Sequence, residues 1–210
     1  MMQRYNMLEL VDIGNDKYKF TLKIATPMLL GVTGRNAAGK TTIVQWFVDQ
    51  GWDGCSCSDA IRHWLRENNQ EINRENLTQG GRELRANGGP GILAEMLLER
   101  MDPNKNTIID SIRTPDEVHA LKSRKDFVLI EVKVPLNLRW ERMQKRGRKG
   151  DPTEFQEFLK QEDAESFAKN SSGQALVATA ELSDILINND GTLSELYESL
   201  GIMVSTFQEE

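Results

Sequence analysis

The chain has 210 residues, 39% apolar and 28% charged, which suits one domain of moderate size with a full core. Its net charge of -6 argues against general nucleic-acid binding, and no stretch approaches the roughly 20 apolar residues that span a bilayer. No apolar signal core stands near the N-terminus, and the two cysteines, Cys55 and Cys57, are too close for a disulfide framework, so a cytoplasmic setting is expected.

From Lys17 to Ile24 the residues alternate. Tyr18, Phe20, Leu22 and Ile24 are apolar between Lys17, Lys19, Thr21 and Lys23, the period of a half-buried strand. With Met7 to Ile13 and the turn Gly14-Asn15-Asp16, residues 5–25 read as a β-hairpin laid on a sheet edge. It forms an N-terminal unit of residues 1–27. Residues 28–33 are a short apolar run, as in a buried parallel strand. A glycine-rich turn leads to a helix over 41–50, with Ile43, Val44, Phe47 and Val48 at helical spacing and Gly51 as its stop.

Residues 53–57 read as a second short strand, with Ser58 capping the next helix. Residues 58–101 are helical and broken at Gly88-Gly89-Pro90-Gly91. Apolar runs at 107–110 and 127–134 predict two more strands, followed by helices over 115–123 and 136–146. The polar stretch 147–172 reads as a mobile segment with some helix. A helix near 173–181, a last strand at 184–188 and a helix over 193–200 complete the chain. Strands alternating with helices imply a three-layer α/β fold, a single domain with about five parallel strands.

Gly34-Arg35-Asn36-Ala37-Ala38-Gly39-Lys40-Thr41 fits the Walker A pattern, between a strand and a helix as its mechanism requires. The glycines let backbone amides curl around phosphate oxygens at a helix N-terminus. Lys40 would reach the outer phosphates of ATP, Thr41 would ligate magnesium, and Thr42 belongs with them to the nucleotide site.

Other candidates cluster near the presumed strand ends. Asp59 and Arg62 share the first turn after the second strand; Asp110 and Arg113 follow the third. Asp59 and Asp110 are candidate magnesium ligands beside Thr41. Arg139, Arg142 and Arg146 share one helix face, with Arg148 just beyond. Arg82 and Arg85 lie in the helical insertion, where an acceptor could dock. The plainer readings are a buried pair for Cys55 and Cys57, a surface pairing of His63 with Glu67, and packing for Trp46, Trp52, Trp64 and Trp140.

On these motifs the chain resembles the nucleoside monophosphate kinases, including adenylate kinases and dephospho-coenzyme A kinases. It is also similar to compact kinase-like P-loop domains, some of which are fused ahead of a deoxycytidylate deaminase. The resemblance covers about residues 29–200. It implies catalytic roles for Lys40, Asp59, Arg142 and Arg146, and acceptor-phosphate roles for Arg62 and Arg113. It also implies an acceptor-binding insertion at 58–101 and a lid at 147–170, open without ligand and closing over ATP. The stretch 188–193 resembles the loop that borders the donor base, bringing in Asn189 and Gly191, with Arg148 toward the donor. Two departures stand out. The segment 110–114 lacks a proline-containing position usual in its motif, and residues 149–172 carry Lys149, Lys160 and Lys169 but no arginine. No deaminase signature is present.

The implied activity is transfer of the γ-phosphoryl group of ATP, with magnesium, to a nucleoside or deoxynucleoside monophosphate. The alternatives are a dephospho-coenzyme A kinase and a non-enzymatic ATP-binding sensor. A small nucleotide acceptor is the expected partner, with neither nucleic acid nor membrane; the oligomeric state stays open.

Overall fold

The computed structural model describes residues 7–12, 18–23, 27–148, 150–166 and 175–209. Strands β1 (Met7–Asp12) and β2 (Tyr18–Lys23) pair antiparallel, with Met7 opposite Lys23 and Asp12 opposite Tyr18. This is the expected hairpin, although its turn at Gly14-Asn15-Asp16 lies outside the described residues. One expectation is corrected: among the described residues the hairpin is a two-stranded sheet of its own and does not extend the edge of the main sheet.

The main sheet begins with β3 (Leu29–Thr33), which leads into helix α1 (Lys40–Asp49). The chain turns at Gly51, whose φ of +90° suits a residue without a Cβ. Next come β4 (Asp53–Ser56) and α2 (Cys57–Glu67). The helix starts earlier than the sequence pattern implies. Ser56, not Ser58, is the N-cap, and Asp59 closes a capping box with it. Helices α3 (Arg74–Gly88) and α4 (Ile92–Leu98) follow, parted by Gly89 at φ +91°. Then come β5 (Thr107–Asp110), α5 (Pro115–Leu121), β6 (Phe127–Lys133) and α6 (Leu136–Arg146). The chain ends with α7 (Phe155–Ser166), α8 (Leu176–Ala180), β7 (Ile185–Asn188) and α9 (Leu193–Glu209). α9 runs past residue 200 because Met203 and Val204 continue the buried stripe of Leu196 and Leu200.

Among the described residues the main sheet has five parallel strands in the order β4-β5-β3-β6-β7. Its two faces explain the near-continuous apolar runs. Leu30, Val32, Ile108, Ile130 and Val132 pack with Ile43, Phe47 and Leu200 on one side. Leu29, Ile109 and Leu129 pack with Ile61, Leu93 and Val118 on the other. A strand covered on both faces needs apolar side chains at every position. Gly31 interrupts the run in β3, because a Cβ there would strike Ile112 and the Phe127 ring. The central strand β3 thereby delivers the glycine-rich turn to the sheet's C-terminal edge, where open α/β sheets bind ligands. None of the described helices is long and apolar enough to cross a membrane.

Candidate active site

The loop after β3 takes its shape from backbone that ordinary residues avoid. Gly34 has φ +138° and Gly39 +96°, and Ala37 also lies at +59°. A Cβ on Gly34 would come within 2.6 Å of the Val132 carbonyl, and one on Gly39 would meet the Asn189 amide. That amide donates to Ala38 O at 2.8 Å, so Asn189 pins the loop from the end of β7.

Lys40 folds back over its own loop. Its ammonium donates to Gly34 O at 2.7 Å and Arg35 O at 2.9 Å. Burial pushes its pKa down to about 8; the carboxylates of Asp110 and Glu165 act against that, while Arg113 and Arg146 add to it. An anionic ligand in the loop would restore the charged form.

A cavity of about 330 Å³ opens over this loop. Residues 36–42 form its floor, Asp110, Ser111 and Arg113 one wall, and Arg142, Arg146 and Arg148 the other. The arginine helix thus divides. Arg146 makes a two-pronged ion pair with Asp151 at 2.8 and 2.9 Å, which holds that carboxyl below its usual range. Arg139 instead turns inward, buried against Glu162 at 2.7 Å and over the Phe158 ring.

A second cavity, of about 340 Å³, adjoins the first. Ile61, Leu77 and Leu93 give it an apolar side; Arg82, Arg85 and Arg113 give it positive charge; Glu165 gives it a carboxylate. Ser111 and Arg113 line both cavities. They follow β5 on a backbone bent at Ser111, whose φ is +66° and whose amide donates to Asp110 Oδ1 at 2.6 Å. Fully buried Glu117 organises this corner. It takes the Arg113 amide at 2.8 Å and Arg85 Nη2 at 2.9 Å while closing the capping box of α5 with Thr114. The Thr-x-x-Glu pattern at 114–117 carried that signal in the sequence.

The expected sites are thus only partly brought together. Residues 36–42, Asp110, Arg113, Arg142, Arg146 and Arg148 meet at the first cavity, and Arg82 and Arg85 at the second. Asp59 and Arg62 line neither. They pair with each other at 2.8 Å on the outside of α2, and the other Asp59 oxygen accepts from Ser56 N. Gly191 sits outside both cavities, beside the Thr192–Glu195 hydrogen bonds that start α9.

The described part of the expected lid, α7, packs on the loop. Glu162 pairs with Arg35 at 3.3 Å, Ser166 accepts from Arg35, and Glu165 Oε2 accepts from Asn36 Nδ2 at 2.8 Å. Residues 149 and 167–174 lie outside the described residues. Sequence reasoning looked for arginines in this segment and found only lysines; in the structure it is the carboxylates Glu162 and Glu165 that hold Arg35 and Asn36 of the loop.

The remaining candidates keep their plainer readings. His63 pairs with Glu67 at 2.8 Å on the surface. Burial pushes the Cys55 thiol up to about 12 and the Cys57 thiol up as well, so neither is a ready nucleophile. Trp140 packs on Phe155 and Phe158, and Trp46 and Trp52 on Phe47.

No cluster of three metal-ligating side chains forms among the described residues. Thr41 and Asp110 nevertheless share the first cavity. Such a sparse oxygen set fits magnesium, which takes most of its ligands from phosphate and water.

The Walker loop at the edge of a five-stranded parallel sheet defines a P-loop kinase-like fold, and solved structures agree. A shikimate kinase from Acinetobacter baumannii in complex with shikimate matches with a TM-score of 0.53 at 15% identity, covering 88% of this chain and 97% of that one. The protein TT1252 from Thermus thermophilus matches with a TM-score of 0.57 at 15% identity, covering 86% and 98%. No protein-family model matches the chain. Among curated proteins, a UPF0200 protein of Thermococcus onnurineus (strain NA1) is 30% identical over 138 residues, 62% of this chain and 75% of its own. A UPF0200 protein of Thermococcus gammatolerans is 26% identical over 184 residues, 84% and 94% of the two chains. The chain belongs to the UPF0200 family.

Proposed function

We propose that this protein is a phosphotransferase that moves the γ-phosphoryl group of ATP to a small anionic acceptor. The observation that carries the reading is the meeting of two cavities at Ser111 and Arg113. One has a phosphate loop for a floor; the other combines arginines with an apolar side. In-line transfer needs a donor and an acceptor to meet across such a junction.

In this reading the amides of residues 34–42 and Lys40 cradle the donor phosphates. Lys40 leaves its two backbone carbonyls as it does so. Thr41 and Asp110 would hold magnesium, which would neutralise charge on the outer phosphates. Arg142, Arg146 and Arg148 would stabilise the migrating group. Arg82, Arg85 and Arg113 would bind an anionic group of the acceptor, and Ile61, Leu77 and Leu93 its apolar part. Nucleoside monophosphates and dephospho-coenzyme A both have this character. Arg62, the cation the sequence offered for a monophosphate, pairs with Asp59 instead; Arg82 and Arg85 take its place in the proposal.

The test is ATP consumption by the purified chain with magnesium, measured against a panel of ribo- and deoxynucleoside monophosphates plus dephospho-coenzyme A. Turnover with at least one acceptor, lost in Lys40→Ala, is expected. ATP binding with no transfer to any of them would instead favour the sensor reading.

A further inference from the structure

The second cavity holds a carboxylate to which the resemblance to monophosphate kinases assigns no role. Glu165, near the end of α7, lines that cavity together with Ser111 and Arg113, the residues it shares with the donor cavity. Its Oε2 accepts from Asn36 Nδ2 at 2.8 Å, and Asn36 belongs to the phosphate loop. Its position is therefore registered to the loop that would hold the donor phosphates. One turn earlier, Glu162 is fixed by Arg35 and Arg139, so the helix that presents Glu165 is itself fastened. The charge of Glu165 also reaches the Lys40 ammonium.

A carboxylate there discriminates between two kinds of nucleophile. A phosphate oxygen that attacks is already ionised and has no proton to give. A second anion beside it only repels it and draws on the cations meant to hold it. A hydroxyl must lose its proton as its bond to phosphorus forms, and a carboxylate within reach lowers that barrier. The other acidic candidates are placed elsewhere. Asp110 lines only the donor cavity and accepts from the Ser111 amide; Asp59 caps α2 on the outside.

We infer that the acceptor attacks through a hydroxyl group, and that Glu165 is the catalytic base that takes its proton. The inference rests on the phosphotransferase reading above and narrows it. The acceptor class is an alcohol that also carries an anionic group for Arg82, Arg85 and Arg113 and an apolar or planar part for Ile61, Leu77 and Leu93. In the step, the acceptor oxygen forms a bond to the γ-phosphorus. The bond from that phosphorus to the bridging oxygen breaks, and its electron pair leaves with ADP. The hydroxyl proton passes to the Glu165 carboxylate and later to solvent. The product is a phosphomonoester, not a phosphoanhydride.

The experiment follows from the two products. The full-length chain is given ATP, magnesium and, in turn, adenosine 5′-monophosphate, its 2′,3′-dideoxy analogue and dephospho-coenzyme A, and products are identified by phosphorus NMR. A phosphomonoester is expected, with no turnover of the dideoxy analogue. Glu165→Gln keeps an oxygen for Asn36 but cannot take a proton. It should lower kcat by about 10²- to 10⁴-fold with KM for ATP and acceptor within about threefold. Asn36→Ser, which loosens the position but keeps the base, should cost much less. A phosphoanhydride product would overturn the hydroxyl inference while leaving the phosphotransferase reading intact. An unchanged kcat in Glu165→Gln would overturn the role of Glu165. Absence of transfer to every acceptor would remove the broader reading and this inference with it.

Discussion

Glu162 fastens α7 to the phosphate loop, and removing it should undock that helix. Its side chain is 7% exposed and pairs with Arg139, 6% exposed, at 2.7 Å. Glu162→Ala would leave a buried guanidinium without its anion, a loss of about 3–5 kcal/mol in comparable pairs. Arg139 keeps partial compensation through Val134 O at 3.1 Å and the Phe158 ring, which puts the expected loss near the lower end, about 3 kcal/mol. Arg35 adds little, since its side chain is 34% exposed and its contact is longer, at 3.3 Å. In a domain of this size about 3 kcal/mol corresponds to a fall in Tm of roughly 6–12 °C. The double variant Arg139→Met with Glu162→Leu removes both charges and should recover most of that loss. Thermal melts give the magnitudes, and hydrogen exchange over residues 155–166 shows whether the loss is local. A loss below about 1 kcal/mol in Glu162→Ala, or no recovery in the double variant, would refute the argument that a buried ion pair holds α7 down.

The remaining predictions concern the two cavities. Lys40 sits near pKa 8 in the unliganded fold, so ATP affinity should fall as pH rises through about 8, and isothermal titration across pH 7–9 would detect it. Stability should move the other way: between about 8 and the ordinary 10.5 the unfolded chain binds a proton that the native chain has lost, so unfolding free energy rises with pH, by at most about 3 kcal/mol from this group. Lys40→Met should remove that slope in denaturant titrations and abolish ATP binding without unfolding the chain. Arg85→Ala should raise the acceptor KM and also lower stability by about 3 kcal/mol, because the buried Glu117 loses its cationic partner and keeps only backbone amides; Arg82→Ala, at an exposed position, should change KM alone. Gly39→Ala forces a Cβ into φ +96° and against Asn189, and should weaken ATP binding at least tenfold, about 1.4 kcal/mol, in a nucleotide titration.

The layered fold was readable because its signals are local. Continuous apolar runs marked strands buried on both faces, and the glycine spacing at 34–39 marked a loop with positive φ. The lining of the cavity over the loop was readable for the same reason, since residues 36–42 are consecutive and Asp110 and Arg113 stand at a strand end. The role of α7 was not. Its docking joins residues 127 positions apart for Arg35 with Glu162 and 129 apart for Asn36 with Glu165. No periodicity encodes such a pairing, and the sequence reading took 147–172 for a polar, mobile segment with some helix and singled out neither Glu162 nor Glu165.

Asp59 and Arg62 show how one local rule can displace another. The sequence reading capped α2 with Ser58 alone. The structure uses Ser56, and that choice fixes what Asp59 can do. At the third helical position its carboxylate turns back to the Ser56 amide at 2.8 Å, and its other oxygen takes Arg62 from the next turn. Ser58, one position earlier, lines the second cavity. A motif that matches a magnesium carboxylate and an acceptor arginine by spacing thus serves here as a helix cap with an ion pair. The charged groups that line the second cavity are Arg113 from the motif after β5, Arg82 and Arg85 from α3, and Glu165 from α7, and of these only Glu165 is a residue that the sequence reading did not single out.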